Sequence, residues 1–238
     1  MNGQLLAALV AVDTPTIVNA IEVAKGSRDF DRFTRSQVYP TDPAAPPIAG
    51  RAVTARIRAA APPNESPEVT AARRDGYYRY LAQADQPAVL VIEDLDHPDC
   101  VGAWWGEVHA ALHKALGLSG AVTNGLVRDL DCLAPDFPIL AGAVGVSHAH
   151  VHVVDFGKPV RVFGMKVSPG EVVHADRHGA TVIPEALLQL MPEAIVRMQK
   201  AEQIVLSQFR SGQSLDVDAL ADSWAAYREA LRSPSSSG

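Results

Sequence analysis

Apolar and polar positions along the chain change period several times, and each change marks an element. Residues 4–11 and 15–24 repeat apolar side chains at helical spacing, with Asp13 or Thr14 placed to cap the second helix and Pro15 suited to its first turn. Residues 26–48 are polar and proline-rich and read as a surface loop. Residues 50–58 alternate in strand fashion, and a helix is expected over about 68–84. Tyr77, Tyr78 and Tyr80 on that helix read as half-buried packing in preference to a pocket lining. Pro87–Glu93 is a continuous apolar run, the pattern of a strand buried on both faces. The acidic stretch Asp94–Asp99 reads as a solvated turn.

Residues 102–107 read as a loop with two glycines and two tryptophans, ending at Glu107, before a helix over 108–116 and a short strand over 120–123. A turn at Asn124-Gly125 leads to Arg128 and Asp129, then a short helical turn over 130–133 and a strand over 137–146. His148, His150 and His152 alternate, which on a strand puts them on one face; a polar outer face or a subunit contact is the preferred reading over a zinc site. From 159 to 184 short apolar segments alternate with glycine turns, predicting a small antiparallel β-layer with a tight turn at 176–179. A long helix follows from Pro184 to about Phe209, then a linker at 211–214, a helix over 216–231 and a disordered tail over 233–238. The mixture of buried strands and helices predicts an α/β chain. Its expected division is a domain over 1–210, a helical extension over 211–232 and the tail.

Charge narrows the partners. With a net charge of −6, a pI near 5.7 and no basic cluster beyond Arg73-Arg74, no nucleic acid is expected as a partner. Cys100 and Cys132 have neither metal nor disulfide spacing, and no apolar run reaches membrane-spanning length, so a cytoplasmic protein with no membrane partner is expected.

The chemistry concentrates around Glu107, Arg128 and Asp129. Twenty residues separate Glu107 from Arg128. A helix of ~12 residues spans about 18 Å and a returning strand covers a similar distance, so both ends can meet at one sheet edge. There Arg128 can grip a carboxylate bidentately, and the N–H groups of Gly106, Glu107 and Val108 at a helix start favour an anion. Asp129 offers a hard oxygen to Mg²⁺ or Mn²⁺, and Glu107 can hold or deprotonate a water.

The acidic residue, the twenty-residue interval and Arg128-Asp129 resemble the signature of the RraA-like family. That family includes class II 4-hydroxy-4-methyl-2-oxoglutarate / 4-carboxy-4-hydroxy-2-oxoadipate aldolases and the regulators of ribonuclease activity A. Trp105-Gly106-Glu107, Asn124-Gly125, Val127-Arg128-Asp129, the segment from Pro159 to Gly164, Pro169-Gly170 and the stretch from His174 to Pro184 carry the resemblance further. It runs from about Thr14 to Gln208, and its aldolases carry Asp where this chain has the longer Glu107.

The resemblance implies a swivelling β/β/α domain with extra C-terminal helices here, assembled as a homotrimer or hexamer. It also implies a metal-dependent aldolase or oxaloacetate decarboxylase acting on pyruvate-type 2-oxo acids through a metal-stabilised enolate. Arg128, Trp105, Gly106, Glu107 and Val108 would bind substrate. Asp129 would hold Mg²⁺ or Mn²⁺ directly, with Glu107 and Glu202 acting through water. Glu202, on the C-terminal helix, would reach a neighbour's site. Two other classes fit the family: a non-catalytic regulator that binds a ribonuclease or other protein, and a sugar-acid lyase or hydratase on the same scaffold.

Overall fold

A computed structural model describes residues 1–210 and 216–232. α1 (Gly3–Val10) is capped by Asn2 and α2 (Thr14–Lys25) by Asp13, whose carboxylate accepts from the Thr16 N–H at 2.9 Å. α2 ends at Gly26 in the left-handed conformation that glycine adopts at no steric cost. After β1 (Tyr39–Pro40) come the long β2 (Ile48–Arg58) and α3 (Pro67–Ala82), which Ser66 caps. β3 (Ala88–Asp94) is the central strand.

The chain then alternates between two sheets. β4 (Ala103–Trp105), β6 (Leu126–Val127) and β8 (Ala143–Val144) form a small parallel sheet. Between them α4 (Glu107–Ala115) precedes β5 (Ala121–Thr123), and a 3₁₀ turn over Leu130–Cys132 precedes β7 (Ile139–Ala141). Both β5 and β7 belong to the main sheet, as does β9 (His152–Phe156). β10 (Val160–Val162) and β11 (Met165–Val167) make a separate hairpin, whereas β12 (Val172–Asp176) and β13 (Gly179–Ile183) extend the main sheet. α5 (Met191–Arg210) and α6 (Val217–Arg232) close the described chain.

The main sheet runs β1-β7-β5-β3-β2-β12-β13, with β9 also paired to β2. Its centre, β2-β3-β5-β7, is parallel and its flanks are antiparallel. β3 shows why its sequence is uniformly apolar. Leu90 and Ile92 enter a core with Tyr77, Leu81, Trp104 and Trp105, while Val89 and Val91 enter a second core with Val160 and Val167 of the hairpin. Each fully buried side chain of this size contributes roughly 1.5–3 kcal/mol relative to exposure. A third core joins α1, α2 and α5. α6 packs on α5 of its own chain through Met198, Ala201, Val205 and Tyr227. Among the described residues no single helix is long and apolar enough to cross a membrane.

Several expectations change. Residues 103–105 are a strand and not a loop. The strand expected over 137–146 divides between the two sheets, and the β-layer expected over 159–184 divides between a hairpin and the main sheet. The three histidines do not share a strand face: His148 precedes a turn at Ala149 (φ 43°), His150 lies in it, and only His152 is in β9. A 3₁₀ stretch over Glu185–Leu190 delays the long helix to Met191. The expected 211–214 linker and 233–238 tail lie outside the described residues.

Candidate functional site

The site forms where two parallel strands end side by side. Trp105, the last residue of β4, pairs with Val127, the last of β6, and the Arg128 N–H donates to the Trp105 carbonyl at 2.9 Å. The next residues along each strand, Gly106-Glu107 and Arg128-Asp129, therefore emerge together. Gly106 keeps them close: a Cβ there would stand 2.5 Å from Asp129 Oδ2 and 3.2 Å from Arg128 Nε.

α4 starts at Glu107, and its preceding residue, Gly106, has no side chain to cap the helix. Asp129 supplies the cap from β6's exit. Its Oδ2 accepts from the Glu107 N–H at 3.3 Å and lies 3.7 Å from Arg128 Nε. A carboxylate at a helix N-terminus is favoured by the free N–H groups and the helix dipole. Asp129 holds a left-handed backbone (φ 56°), uncommon for a residue with a side chain, which directs it back over α4. Arg128 and Asp129 are about one-third exposed, at 36% and 38%. Glu107 is exposed.

Gly106, Val108, His109 and Arg128 line a cavity of about 800 Å³ together with Trp104 and residues of α3, the loop before it and the start of β9, whereas Glu107 and Asp129 stand outside its lining. His109 Nδ1 lies 2.6 Å from the Trp104 carbonyl, an acceptor only, so Nδ1 carries the proton and Nε2 is an acceptor. Its ring centroid lies 4.2 Å from that of Trp104, with the two planes tilted by 45°. Burial pushes the His109 pKa down, as do the Arg128 and Arg74 charges; the Trp104 bond opposes them.

Behind it His113 donates from Nδ1 to the His109 carbonyl at 2.6 Å and accepts the Tyr77 hydroxyl at Nε2 (2.7 Å). Burial pushes His113 down to about 4. Tyr77 is thus a core residue with a satisfied hydroxyl, in keeping with the packing reading of the tyrosine helix. No sequence pattern singled out His109 or the cavity wall; only the i, i+4 spacing of His109 and His113 on α4 hinted at a shared face.

Of the residues singled out beforehand, Trp105, Gly106, Glu107, Val108, Arg128 and Asp129 come together. Trp105 does so from beneath, fully buried. Glu202 does not: it lies on α5 towards Tyr227, whose hydroxyl pKa is raised by burial first and by the Glu202 charge in addition, and it does not line the cavity. The Glu107 N–H, counted with the anion-binding amides, is taken by Asp129, whereas those of Val108 and His109 have no acceptor within the helix. Among the described residues no three His, Cys, Asp or Glu side chains group as a metal site. Asp129 Oδ1 has no protein partner among them. One free, hard carboxylate oxygen beside an exposed glutamate fits a Mg²⁺- or Mn²⁺-sized cation that keeps most of its waters.

The family model for RraA-like proteins (Aldolase/RraA) matches residues 14–182. The chain belongs to the RraA-like family. It is 25% identical over 142 residues to Protein DlpA of Legionella pneumophila, covering 58% of this chain and 22% of that protein. It is 29% identical over 107 residues to a protein of Halalkalibacterium halodurans named "Putative 4-hydroxy-4-methyl-2-oxoglutarate aldolase", covering 44% of this chain and 50% of that one. The chain thus spans no more than half the length of either relative. Its fold is similar to the crystal structure of Streptomyces coelicolor RraAS2, described as an unusual member of the RNase ES inhibitor RraA family. That likeness has a TM-score of 0.66 at 22% identity, over 90% of this chain and 98% of that one. The mixed α/β architecture with its extra C-terminal helices is therefore that of an RraA-like protein.

Proposed function

We propose that this RraA-like chain is a divalent-metal-dependent C–C lyase, an aldolase and oxaloacetate decarboxylase acting on pyruvate-type 2-oxo acids. The observation that carries the reading is the meeting of the Arg128 guanidinium and the Asp129 carboxylate at the α4 N-terminus, beside a cavity large enough for an organic acid. Arg128 holds the substrate carboxylate bidentately, assisted by the N–H groups of Val108 and His109. Asp129 holds Mg²⁺ or Mn²⁺ through its free oxygen, with Glu107 beside it. Such a cation supplies Lewis acidity to the 2-oxo group when bound. Glu107 orders the water that takes the hydroxyl proton of a 4-hydroxy-2-oxo acid. As the C3–C4 bond breaks, its electron pair passes to the pyruvate unit, and Arg128 stabilises the negative oxygen that develops. Loss of CO₂ from oxaloacetate leaves the same anion, so one site serves both reactions.

Glu202 does not line the cavity of its own chain, so its role requires a neighbouring subunit, which a homotrimer or hexamer provides. The test is a coupled assay for pyruvate from 4-hydroxy-2-oxo acids and from oxaloacetate, with Mg²⁺ or Mn²⁺ and with EDTA. Pyruvate release that EDTA abolishes supports the lyase. No release, together with capture of an RNA-processing protein, replaces it with the regulator reading.

A further inference from the structure

The cavity wall beyond Arg128 carries information about the rest of the substrate. Its polar groups present few hydrogen-bond donors to a ligand. His109, His148 and His152 all line it, and in each the Nδ1 lies 2.6–2.8 Å from a backbone carbonyl: Trp104, Ala149 and His150 respectively. A carbonyl can only accept, so in the neutral imidazoles each proton sits on Nδ1 and each Nε2 is an acceptor. The one carboxylate in the wall, Glu65, is bonded to Arg73 at 2.6 Å. Arg74 is the one cation besides Arg128, and it is exposed, where an ion pair is screened and contributes little. Between these groups the wall is largely apolar, built by Pro62, Pro63, Pro67, Val151, Val153 and the Trp104 indole, and the hydroxyl of the one further polar residue, Thr70, is itself buried. A second carboxylate there would face imidazole lone pairs and hydrocarbon. An uncharged ring would meet hydrocarbon and an indole.

Resting on the reading that Arg128 grips a 2-oxo acid, we propose that the substrate's far end is a bulky, uncharged, aryl-sized group and not a second carboxylate. The corresponding cleavage is that of a 4-aryl-4-hydroxy-2-oxobutanoate. The hydroxyl proton leaves, the C3–C4 bond breaks with its electron pair passing to C3 and the 2-oxo group, and that carbon regains a proton. The products are pyruvate and an aryl aldehyde.

The matched probes are 2-oxo-4-phenylbutanoate and 2-oxoglutarate, which differ only in carrying phenyl or carboxylate at C4. Binding of each to the full chain is measured by calorimetry at pH 8 with Mg²⁺. The phenyl acid should bind at least tenfold more tightly. Ala71→Trp, which fills the wall from α3, should bring the two affinities within about threefold. Equal binding, tighter binding of 2-oxoglutarate, or binding of neither overturns the assignment. The lyase reading fails separately: a tenfold phenyl preference with no pyruvate from 4-hydroxy-2-oxo-4-phenylbutanoate keeps the cavity's ligand class and rejects the reaction.

Discussion

Replacing Gly106 by alanine isolates the geometry on which the site depends. Gly106 has extended backbone (φ −163°, ψ −172°) that alanine adopts without strain, so the fold should survive. The added methyl group, however, would stand 2.5 Å from Asp129 Oδ2, and ordinary contact begins at 3.4 Å. Arg128 Nε and Cγ, at 3.2 and 3.3 Å, close off the alternative direction. The carboxylate must retreat by nearly an ångström, which breaks its bond to the Glu107 N–H and moves it relative to Arg128. A displacement of that size in a reacting site costs on the order of 100-fold in rate, about 2.7 kcal/mol of barrier. Stability should fall by only about 1 kcal/mol, the scale of losing a favourable helix-start residue, which lowers the Tm by ~2–4 °C in a chain of this size. Metal-dependent pyruvate release and a thermal melt on the same sample read both quantities. A Gly106→Ala variant with turnover within threefold of the parent chain would refute the reasoning, because Asp129 would then tolerate the displacement.

Other outcomes follow from the same geometry. Arg128→Ala should cost ~2.7–4 kcal/mol of transition-state stabilisation, read as a 10²–10³-fold fall in kcat/KM; Arg128→Lys should recover only part, since lysine lacks the bidentate fork. Tyr77→Phe removes the donor to buried His113 Nε2 and should destabilise the fold by about 1–3 kcal/mol in urea titrations, with pyruvate release per folded molecule little changed. Acid should also destabilise the fold through His113. Burial holds its folded pKa near 4 against an ordinary 6.5, so between these values the unfolded chain binds the extra proton. The stability this histidine contributes is complete above pH 6.5 and declines on acidification towards pH 4, by roughly 3 kcal/mol. Buried His174 is shifted in the same direction. His113→Asn should flatten the pH dependence of unfolding free energy, and an unchanged slope would rule His113 out as its source.

Much of the architecture was legible because local rules and tertiary packing agree. Asp13, Pro15 and Gly26 bracket α2 as caps and breakers should, and the unbroken apolar run of β3 reflects cores on both faces of the sheet. The helix expected over about 68–84 is observed at 67–82, and the strand expected over 120–123 is observed at 121–123, before the Asn124-Gly125 turn. β4 was hidden because three residues between glycines give no periodicity, and what makes Ala103–Trp105 a strand is pairing with β6, more than twenty residues later. The same pairing explains why Glu107 and Arg128 meet. The residue interval allowed the contact, but adjacent parallel strand ends impose it.

The histidine alternation misled for the opposite reason: Ala149 turns the chain with a positive φ that no alternation pattern encodes. His109 escaped notice because its role in the wall comes from the Trp104 carbonyl, which lies a helical turn away only once Gly106 has ended β4 and α4 has begun.

The most direct measurement is calorimetric or spectroscopic titration of Mn²⁺ into the full chain and into its Asp129→Asn variant, with pyruvate release from oxaloacetate followed on the same samples. The expected result is saturable Mn²⁺ binding by the parent chain, at least tenfold weaker in the variant, and pyruvate release that rises with metal occupancy and vanishes with EDTA. Equal binding by both chains, or pyruvate release indifferent to metal, would contradict a site built on Asp129 and Arg128.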